Sequence, residues 1–256
     1  MSLLTVSHLA KSFGGVQAVG DVSFDLAAGE LLALIGPNGA GKSTCFNMLN
    51  GQLRPDSGRV TLDGRDITAR APREIWGLGV GRTFQITATF GSMTVRENVQ
   101  MVLLSRARAL LGIWRSAAAR FRDAAMTLLE RVGMADQSER ACSLLAYGDL
   151  KRVELAMALA SEPRLLLMDE PTAGMAPRER DELMALTAEL TRERRLGVLF
   201  TEHSMDVVFT YAQRVLVMAR GRLIAQGVPA AVREDPHVQE VYLGAGATFR
   251  TQAADS

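Results

Sequence analysis

Three uninterrupted apolar runs stand out in the hydropathy pattern of the chain, at residues 31–36, 165–168 and 197–201. Each run is short and is bounded by a glycine, a proline or acidic residues. Side chains that are apolar at successive positions, rather than at every second one, are typical of parallel strands buried on both faces. The pattern therefore predicts a mostly parallel sheet at the centre of the protein.

Two other patterns surround these runs. Residues 3–30 and 57–67 contain short stretches in which apolar and polar side chains alternate, which predicts antiparallel strands joined by a turn. Residues 86–160 show helical spacing and almost no strand signal. The predicted fold class is therefore α/β: a core with a mostly parallel sheet, an antiparallel β subdomain and an α-helical subdomain.

Composition narrows the class of protein further. The chain has 256 residues, 48% of them hydrophobic and 22% charged, as expected for one large globular domain. Its net charge of +1 provides no overall field that would attract DNA or RNA, so we expect no nucleic-acid partner. No apolar stretch approaches the ~18 residues of a membrane span, and residues 1–5 lack the features of a secretory signal. We therefore expect the protein to remain in the cytosol.

A glycine-rich segment follows the first apolar run. It has the form G-x-x-x-x-G-K-S and leads into a helical stretch at 45–50 that stops at Gly51. Such glycines let backbone N–H groups turn towards phosphates, and a bare glycine-rich turn is disfavoured by the strand and helix on either side. Lys42 is expected to reach the β and γ phosphates and Ser43 to offer its hydroxyl to Mg²⁺. The predicted phosphate-binding positions are Gly36, Asn38, Gly39, Gly41, Lys42, Ser43 and Thr44.

Two acidic residues, Asp169 and Glu170, end the second apolar run. The carboxyl ends of parallel strands are where open α/β sheets bind ligands, so Asp169 is expected to hold Mg²⁺ directly or through water. Glu170 then becomes the general base or the group that orients the attacking water. Acids that merely cap a strand are the alternative interpretation, which the neighbouring phosphate loop disfavours.

The third run ends at His203, and a further helix opens near Gly148. An isolated histidine is more often structural than catalytic, but one at this sheet edge is a candidate to donate a hydrogen bond to the γ-phosphate. The glycine exposes backbone N–H groups at the start of a helix, which favours an anion there.

Together these segments resemble an ABC-type ATPase, the nucleotide-binding domain of ABC transporters, over about residues 3–244. The resemblance identifies Gly36 to Thr44 as Walker A, Gln85 as the Q-loop glutamine, Leu145 to Asp149 as the signature, Asp169 and Glu170 as the end of Walker B, and His203 as the switch histidine. Some less specific segments resemble the ATPase subunits of branched-chain amino acid importers. These are Arg-Thr-Phe-Gln, Leu-Ala-Tyr-Gly and the tail Val-Tyr-Leu-Gly.

The resemblance implies a mechanism and a set of partners. Two such subunits would pair head to tail around two ATP molecules, each phosphate loop facing the other subunit's Ala146, Tyr147 and Gly148. Phe13 would stack on adenine, and Gln85 would join Ser43 and Asp169 at Mg²⁺. Transmembrane permease subunits would be driven by this cycle, with a periplasmic substrate-binding protein involved indirectly. The subunit would lie peripherally on the cytoplasmic face of the inner membrane.

Departures from the family pattern leave several questions open. The common signature carries Ser and Gln where this chain has Ala146 and Asp149, and Ala176 replaces an Asp usual after Walker B. A homodimer and a heterodimer with one weaker site both remain open. The cargo is open too, since urea or short amides use similar machinery. A soluble ABC ATPase acting on nucleic acid or ribosomes is the less favoured alternative, because the sequence has one cassette, no heptad array and no zinc-ligand spacing. The domain is expected to span 3–244, with a helical subdomain at about 86–160 and a flexible tail at 245–256.

Overall fold

The computed structural model describes residues 2–83, 89–107 and 121–243. The strands are β1 (Ser2–Phe13), β2 (Val16–Ala27), β3 (Leu31–Ile35), β4 (Ser57–Leu62), β5 (Arg65–Asp66), β6 (Val80–Thr83), β7 (Leu165–Asp169), β8 (Gly197–Thr201), β9 (Arg214–Ala219) and β10 (Arg222–Gly227). The helices are α1 (Lys42–Leu49), α2 (Pro72–Gly77), α3 (Val95–Arg106), α4 (Arg122–Arg131), α5 (Tyr147–Ala160), α6 (Pro177–Arg194), α7 (Met205–Tyr211), α8 (Pro229–Glu234) and α9 (Pro236–Leu243).

A six-stranded sheet forms the centre of the protein, in the order β10-β9-β3-β8-β7-β6. Neighbouring strands from β9 to β6 pair in parallel, and β10 adds to β9 in the antiparallel sense. All of β3, β7 and β8 is buried. The three apolar runs are therefore parallel strands covered on both faces, as the sequence predicts, and the α/β fold class is confirmed.

Alternate side chains of β3 enter two different cores. Leu31, Ala33 and Ile35 face a core built largely from helices, including α3, α4, α5 and α6. Leu32 and Leu34 face a second core with α1 and the strands of the N-terminal sheet. A strand with side chains on both faces can bury every one of them only in such a layered arrangement.

The N-terminal strands form the predicted antiparallel sheet, in the order β2-β1-β4-β5. Its long hairpin turns at Gly14 and Gly15, both of which have positive φ angles that favour glycine. The hairpin also touches the segment between β3 and α1, because a Cβ on Gly41 would lie only 2.3 Å from the carbonyl oxygen of Ala18. The antiparallel sheet thus forms one side of the region beyond β3.

Helices α3, α4 and α5 lie between β6 and β7 along the chain, in the segment whose pattern is helical. Thr94 and Glu97 form a capping box that fixes the start of α3. Two pieces of the expected helical subdomain, 86–88 and 108–120, lie outside the described residues, as does the expected tail at 245–256. Within the part of the chain that the structure describes, no helix has the length and apolar character needed to cross a membrane.

Candidate nucleotide-binding site

The segment between β3 and α1 is a tight loop at the carboxyl edge of the parallel sheet. Gly36 approaches β9 so closely that a Cβ there would lie 2.1 Å from the carbonyl oxygen of Met218. Gly41, with φ of 101°, is the N-cap residue of α1 and has no side chain to cap the helix. The first N–H groups of α1 are therefore left to a ligand or to water, as a phosphate-binding loop requires.

Helix α1 begins at Lys42, three residues before the predicted start at residue 45. The sequence prediction was wrong here because it reserved Lys42, Ser43 and Thr44 for the loop. In the structure these side chains belong to the first helical turn. Ser43 is exposed, Thr44 is half-buried, and Asn38 and Gly39 are exposed on the loop before them.

The Lys42 side chain folds back over its own loop. It is only 8% exposed, and its Nζ donates hydrogen bonds to the carbonyl oxygens of Gly36 at 2.6 Å and Pro37 at 3.2 Å. Burial lowers the pKa of Lys42, while the carboxylates of Glu170 and Asp169 raise it and so oppose the effect of burial. The Lys42 ammonium can donate to phosphate oxygens, and the two carboxylates beside it suit a divalent cation bound together with those phosphates.

The two acids at the end of β7 are held by the neighbouring strand β8. The Thr201 hydroxyl donates to Asp169 Oδ1 at 2.7 Å and accepts the Glu170 N–H at 3.0 Å. Glu170 has a φ of 48°, a left-handed conformation that is unfavourable for a non-glycine residue. A hydrogen bond of 2.8 Å joins its Oε1 to His203 Nε2. The structure therefore brings Lys42, Asp169, Glu170 and His203 together.

Three further residues at this edge, Arg82, Thr172 and Glu202, were not identified as site residues from the sequence. Arg82 donates to Asn47 and Gln52, and its guanidinium lies 3.5 Å from Asp169 Oδ2. The signal available in the sequence was its place in the Arg-Thr-Phe-Gln segment, which resembles the importer ATPases.

Glu202 and Thr172 form a hydrogen-bonded pair next to the acids and His203. Glu202 is 3% exposed and accepts hydrogen bonds from both the N–H and the hydroxyl of Thr172, at 2.9 and 2.7 Å. The pair fixes the loop after β7 to the loop after β8, which carry Glu170 and His203. The signal available in the sequence was a glutamate directly after a buried strand.

The signature segment lies at the start of α5. Ala146 is the N-cap residue and makes no side-chain cap, while Tyr147 is 41% exposed and Gly148 is buried. A Cβ on Gly148 would meet the carboxyl group of Glu179 at 3.0 Å, and one on Gly174 would meet the ring of Tyr147 at 3.6 Å. These contacts place the segment beside the loop after β7 and the start of α6, and its facing a second subunit stays a prediction.

Two predicted site residues remain to be placed. Phe13 ends β1 at the tip of the hairpin and is 49% exposed, with Lys11 Nζ 5.6 Å from its ring centre. Its ring is therefore accessible, as stacking on a base would require. Gln85 lies outside the described residues. Cys45 and Cys142 are both buried, and burial raises the pKa of the Cys45 thiol to about 12.

The donor set fits Mg²⁺ bound together with a phosphate ligand. Among residues 2–83, 89–107 and 121–243, no group of three or more His, Cys, Asp or Glu forms a metal cage. Mg²⁺ prefers few protein oxygens together with water and phosphate, and an exposed hydroxyl at Ser43 and a carboxylate at Asp169 offer that chemistry.

Comparison with known proteins agrees with this geometry. Residues 19–173 match the family described as ABC transporter, and residues 222–248 match one described as branched-chain amino acid ATP-binding cassette transporter. The chain is 39% identical over 249 residues to the high-affinity branched-chain amino acid transport ATP-binding protein LivG of Salmonella typhimurium, covering 94% of this chain and 98% of LivG.

Two further matches show how far the similarity extends. The chain is 36% identical to the lipopolysaccharide export system ATP-binding protein LptB of Haemophilus influenzae, over 95% of this chain and 98% of LptB. The crystal structure of the ADP conformation of an ATP-binding cassette of an ABC transporter superposes with a TM-score of 0.84 at 31% identity, covering 95% of this chain and 99% of that one. The chain therefore belongs to the ABC transporter family, as an ABC-type ATPase subunit.

Proposed function

We propose that this subunit binds and hydrolyses MgATP to drive an importer of branched-chain or other hydrophobic amino acids. The observation that carries the proposal is the joint similarity to LivG across almost the full length of both chains and to the branched-chain family at residues 222–248. The site geometry supports the ATPase part, because a buried lysine, two acids and a histidine meet at the end of the parallel sheet.

The phosphate loop would bind the triphosphate. Gly36, Asn38, Gly39 and Gly41 present backbone N–H groups, Lys42 moves its ammonium from the loop carbonyls to the phosphates, and Thr44 binds on the α-phosphate side. Mg²⁺, when bound, neutralises charge that develops on the phosphate oxygens. Ser43, Asp169 and Gln85 would hold that ion, and Phe13 would stack on the adenine ring.

Glu170 would orient the attacking water and accept its proton. Its carboxylate is 23% exposed, so water reaches it, and the N–H and side-chain contacts to Thr201 and His203 fix its direction. His203 would then release Glu170 and donate towards the γ-phosphate when ATP is bound.

A second ATPase subunit would complete each site. Ala146, Tyr147 and Gly148 lie at a helix N-terminus with no side-chain cap, which leaves backbone N–H groups for a phosphate of the partner's nucleotide. Because Ala146 carries no hydroxyl, this contact depends on the backbone alone. The same surface serves either a homodimer or a heterodimer.

Permease subunits have a candidate docking place in a groove of about 260 Å³ between α2, β6 and α5. Apolar side chains of Trp76, Val102 and Met157 line it, and Arg82 lies at the groove while also contacting Asp169. A permease segment in the groove would therefore touch a residue that contacts the magnesium carboxylate. In this arrangement the subunit is peripheral on the cytoplasmic face of the membrane, and the periplasmic substrate-binding protein acts through the permease.

Lipopolysaccharide export is the second candidate, because the identity to LptB is 36% over nearly the whole chain. Co-purification of the native permease and stimulation of ATPase activity by a binding protein loaded with leucine would separate the two functions. Stimulation by lipopolysaccharide and not by loaded binding protein would contradict amino acid import. The net charge of +1 gives no support to a nucleic-acid function.

The variant Glu170→Gln tests the catalytic assignment. We expect it to bind ATP at the wild-type affinity and to hydrolyse it ~10² to 10⁴ times more slowly, because the amide cannot accept the proton of the attacking water. Lys42→Ala, in contrast, should lose both ATP binding and ATP hydrolysis. The measurements are steady-state phosphate release and titration with a fluorescent ATP analogue.

The matched control is Glu189→Gln, the same change at an exposed position of α6. It should leave both quantities unchanged. Phosphate release by Glu170→Gln at the rate of this control would contradict the role assigned to Glu170.

A further inference from the structure

A groove of about 650 Å³ borders the phosphate loop on the side of the C-terminal elements. Residues 37–40 of the loop, the hairpin of β9 and β10, and helix α9 form its walls. Its volume lies in the range of about 300–1,000 Å³ that is usual for small-molecule sites. Strand β10 and helix α9 belong to residues 222–248, which match the branched-chain amino acid cassette family and lie outside the general ABC transporter match.

The hairpin wall carries two arginines and an apolar side chain. Arg220 lies in the turn and Arg222 begins β10, and both residues are exposed. Within the described parts of the chain, neither guanidinium forms an ion pair or a hydrogen bond. Ile224, two residues after Arg222, lies on the same face of the strand. A guanidinium presents several N–H donors in a geometry that matches a carboxylate, so this wall suits one.

Helix α9 provides a negative charge on another wall. His237, Glu240 and Val241 all line the groove, and their spacing of three and four residues places them on one face of the helix. The Glu240 carboxylate lies 4.0 Å from Nδ1 of His237, and its side chain is 83% exposed. It can therefore accept hydrogen bonds from a further cationic group. Val241 adds a half-buried apolar surface next to it.

Hydrogen bonds hold the backbone of both walls in place. The N–H of Gly221, between the two arginines, donates to the carbonyl oxygen of Ala40 in the phosphate loop at 3.0 Å. The carbonyl oxygen of Gly221 accepts the N–H of Gly20 at 2.7 Å. On the other wall, Asp235 Oδ1 accepts the N–H of His237 at 2.8 Å and caps the start of α9. The charges are thus carried by fixed backbone, and one wall is bonded directly to the phosphate loop.

We propose that this groove binds a free amino acid with an apolar side chain. The two arginines would bind its α-carboxylate, Glu240 its α-ammonium group, and Ile224 and Val241 its side chain. A zwitterionic amino acid carries all three kinds of group, whereas a simple anion would leave the acid and the apolar residues unused. The choice of leucine as the probe rests on the proposed function, in which this class of amino acid is the cargo.

A ligand in the groove should oppose ATP binding. Pro37 lines the groove, and its carbonyl oxygen accepts a hydrogen bond from Lys42 Nζ at 3.2 Å. In the proposed function Lys42 leaves this oxygen when it binds phosphate. An amino acid packed against the loop would favour the arrangement described here over the phosphate-bound one, and such a difference in affinity is what shifts an equilibrium. Released cargo would in this way lower ATP use by the importer.

Equilibrium dialysis of the full-length subunit with radiolabelled leucine tests the site. We expect saturable binding to wild type. Arg222→Gln and Glu240→Gln should each raise the Kd for leucine at least ~10-fold, the effect of losing a hydrogen bond to a charged group. Both residues are exposed, so neither change disturbs the core. The matched control is Arg192→Gln, the same change at an exposed position of α6, which should keep the wild-type Kd.

Two analogues test which groups of the ligand are recognised. In competition with radiolabelled leucine, 4-methylpentanoate lacks the ammonium group and isopentylamine lacks the carboxylate. Each should bind at least ~10-fold more weakly than leucine, because each leaves one charged wall without its counterpart.

Titration with a fluorescent ATP analogue measures the coupling between the groove and the phosphate loop. Saturating leucine should raise the Kd of wild type for the analogue about fivefold or more, the lower end of common coupling between two sites. The same leucine concentration should leave that Kd unchanged in the double variant Arg222→Gln, Glu240→Gln. By reciprocity, the ATP analogue should raise the Kd of wild type for leucine by the same factor.

The outcomes separate this inference from the proposed function. Wild-type protein that does not bind the ATP analogue contradicts the proposed function, and the dialysis still decides the groove. Wild-type protein that binds the analogue but not leucine at millimolar concentrations overturns the inference. So does leucine binding that is equal in wild type, Arg222→Gln and Glu240→Gln, or equal affinity for 4-methylpentanoate, which would mean an anion site only. Leucine binding that leaves the Kd for the analogue unchanged would overturn the effect on ATP.

Discussion

A single hydroxyl at Thr201 organises both acids of the candidate site. It donates to the Asp169 carboxylate and accepts the N–H of Glu170, whose φ of 48° needs such support. The carbonyl oxygen of Thr201 accepts the same N–H at 3.1 Å. Two residues with different roles, one for the metal and one for water, are therefore held by one side chain on the next strand.

Thr201→Val tests this arrangement, because valine has nearly the same shape and lacks the hydroxyl. A hydrogen bond to a charged group contributes about 1.5–3 kcal/mol, so we expect ATP hydrolysis to fall roughly ten- to a hundredfold. ATP binding should change much less, since Lys42 and the phosphate loop remain intact. Steady-state phosphate release and ATP titration measure the two effects.

A matched control is Thr187→Val on α6. This threonine is also about 1% exposed, but its hydroxyl donates to the carbonyl oxygen of Leu183 within its own helix. Both variants lose one buried hydroxyl, and the control should keep wild-type hydrolysis. Equal activity of the two variants would show that Thr201 is only a packing residue.

At the scale of elements, the strands that were easiest to predict carry the site. The runs of β3, β7 and β8 are apolar throughout because both faces are covered, and the residues just after them form the cluster. Strands β6, β9 and β10 were not predicted. Strand β6 has four residues, including a glycine, and lies at the edge of the sheet formed by the described strands. Half-exposed positions interrupt the pattern of β10.

Part of the candidate site was beyond the reach of sequence reasoning for a physical reason. Walker A and the acids follow their strands directly, so local sequence locates them. The contact of Arg82 with Asp169 joins segments far apart in the chain. Which distant side chains meet depends on strand order and helix placement, and no local pattern contains that information.

Helix α5 contains a buried ion pair whose loss should weaken the whole fold. Lys151 Nζ lies 3.0 Å from Glu154 Oε2, and the side chains are 4% and 5% exposed. Lys151→Met leaves the glutamate charge buried beside an apolar side chain, so we expect a loss of about 3–5 kcal/mol in the free energy of unfolding. Urea unfolding monitored by circular dichroism measures it.

The double variant Lys151→Met, Glu154→Leu is the control for this experiment. With both charges replaced by apolar side chains, most of the lost free energy should return, because neither charge of the pair is then left in the core. A double variant less stable than Lys151→Met would contradict this explanation and indicate that the carboxylate itself stabilises α5.

At the scale of the whole molecule, the phosphate loop and the signature segment lie on different parts of the same chain. Asp169, Glu170 and His203 gather around Lys42. The start of α5 instead contacts Gly174 and Glu179, further along the chain. In the proposed head-to-tail pair, the uncapped end of α5 would reach a phosphate bound by the other subunit. Closure of that pair on ATP would then transmit nucleotide binding to the proposed permease.

Ala146→Glu separates the stability of the monomer from the pairing of two subunits. Ala146 is exposed at the N-terminus of α5, where a carboxylate interacts favourably with the helix dipole, worth about 0.3–1 kcal/mol. The monomer should therefore melt at the same temperature or higher. In the pair, the new charge would face a phosphate, and like charges a few Å apart repel by about 1–4 kcal/mol.

Combined with Glu170→Gln, which keeps ATP bound, this change should weaken the ATP-dependent dimer by at least ~10-fold in analytical ultracentrifugation. Ala146→Gln is the neutral control of equal size and should retain most of the dimer. Equal loss in both variants would mean that bulk, rather than charge, disrupts pairing. An unweakened dimer with glutamate at this position would mean that the start of α5 faces no phosphate, and the head-to-tail arrangement would be wrong.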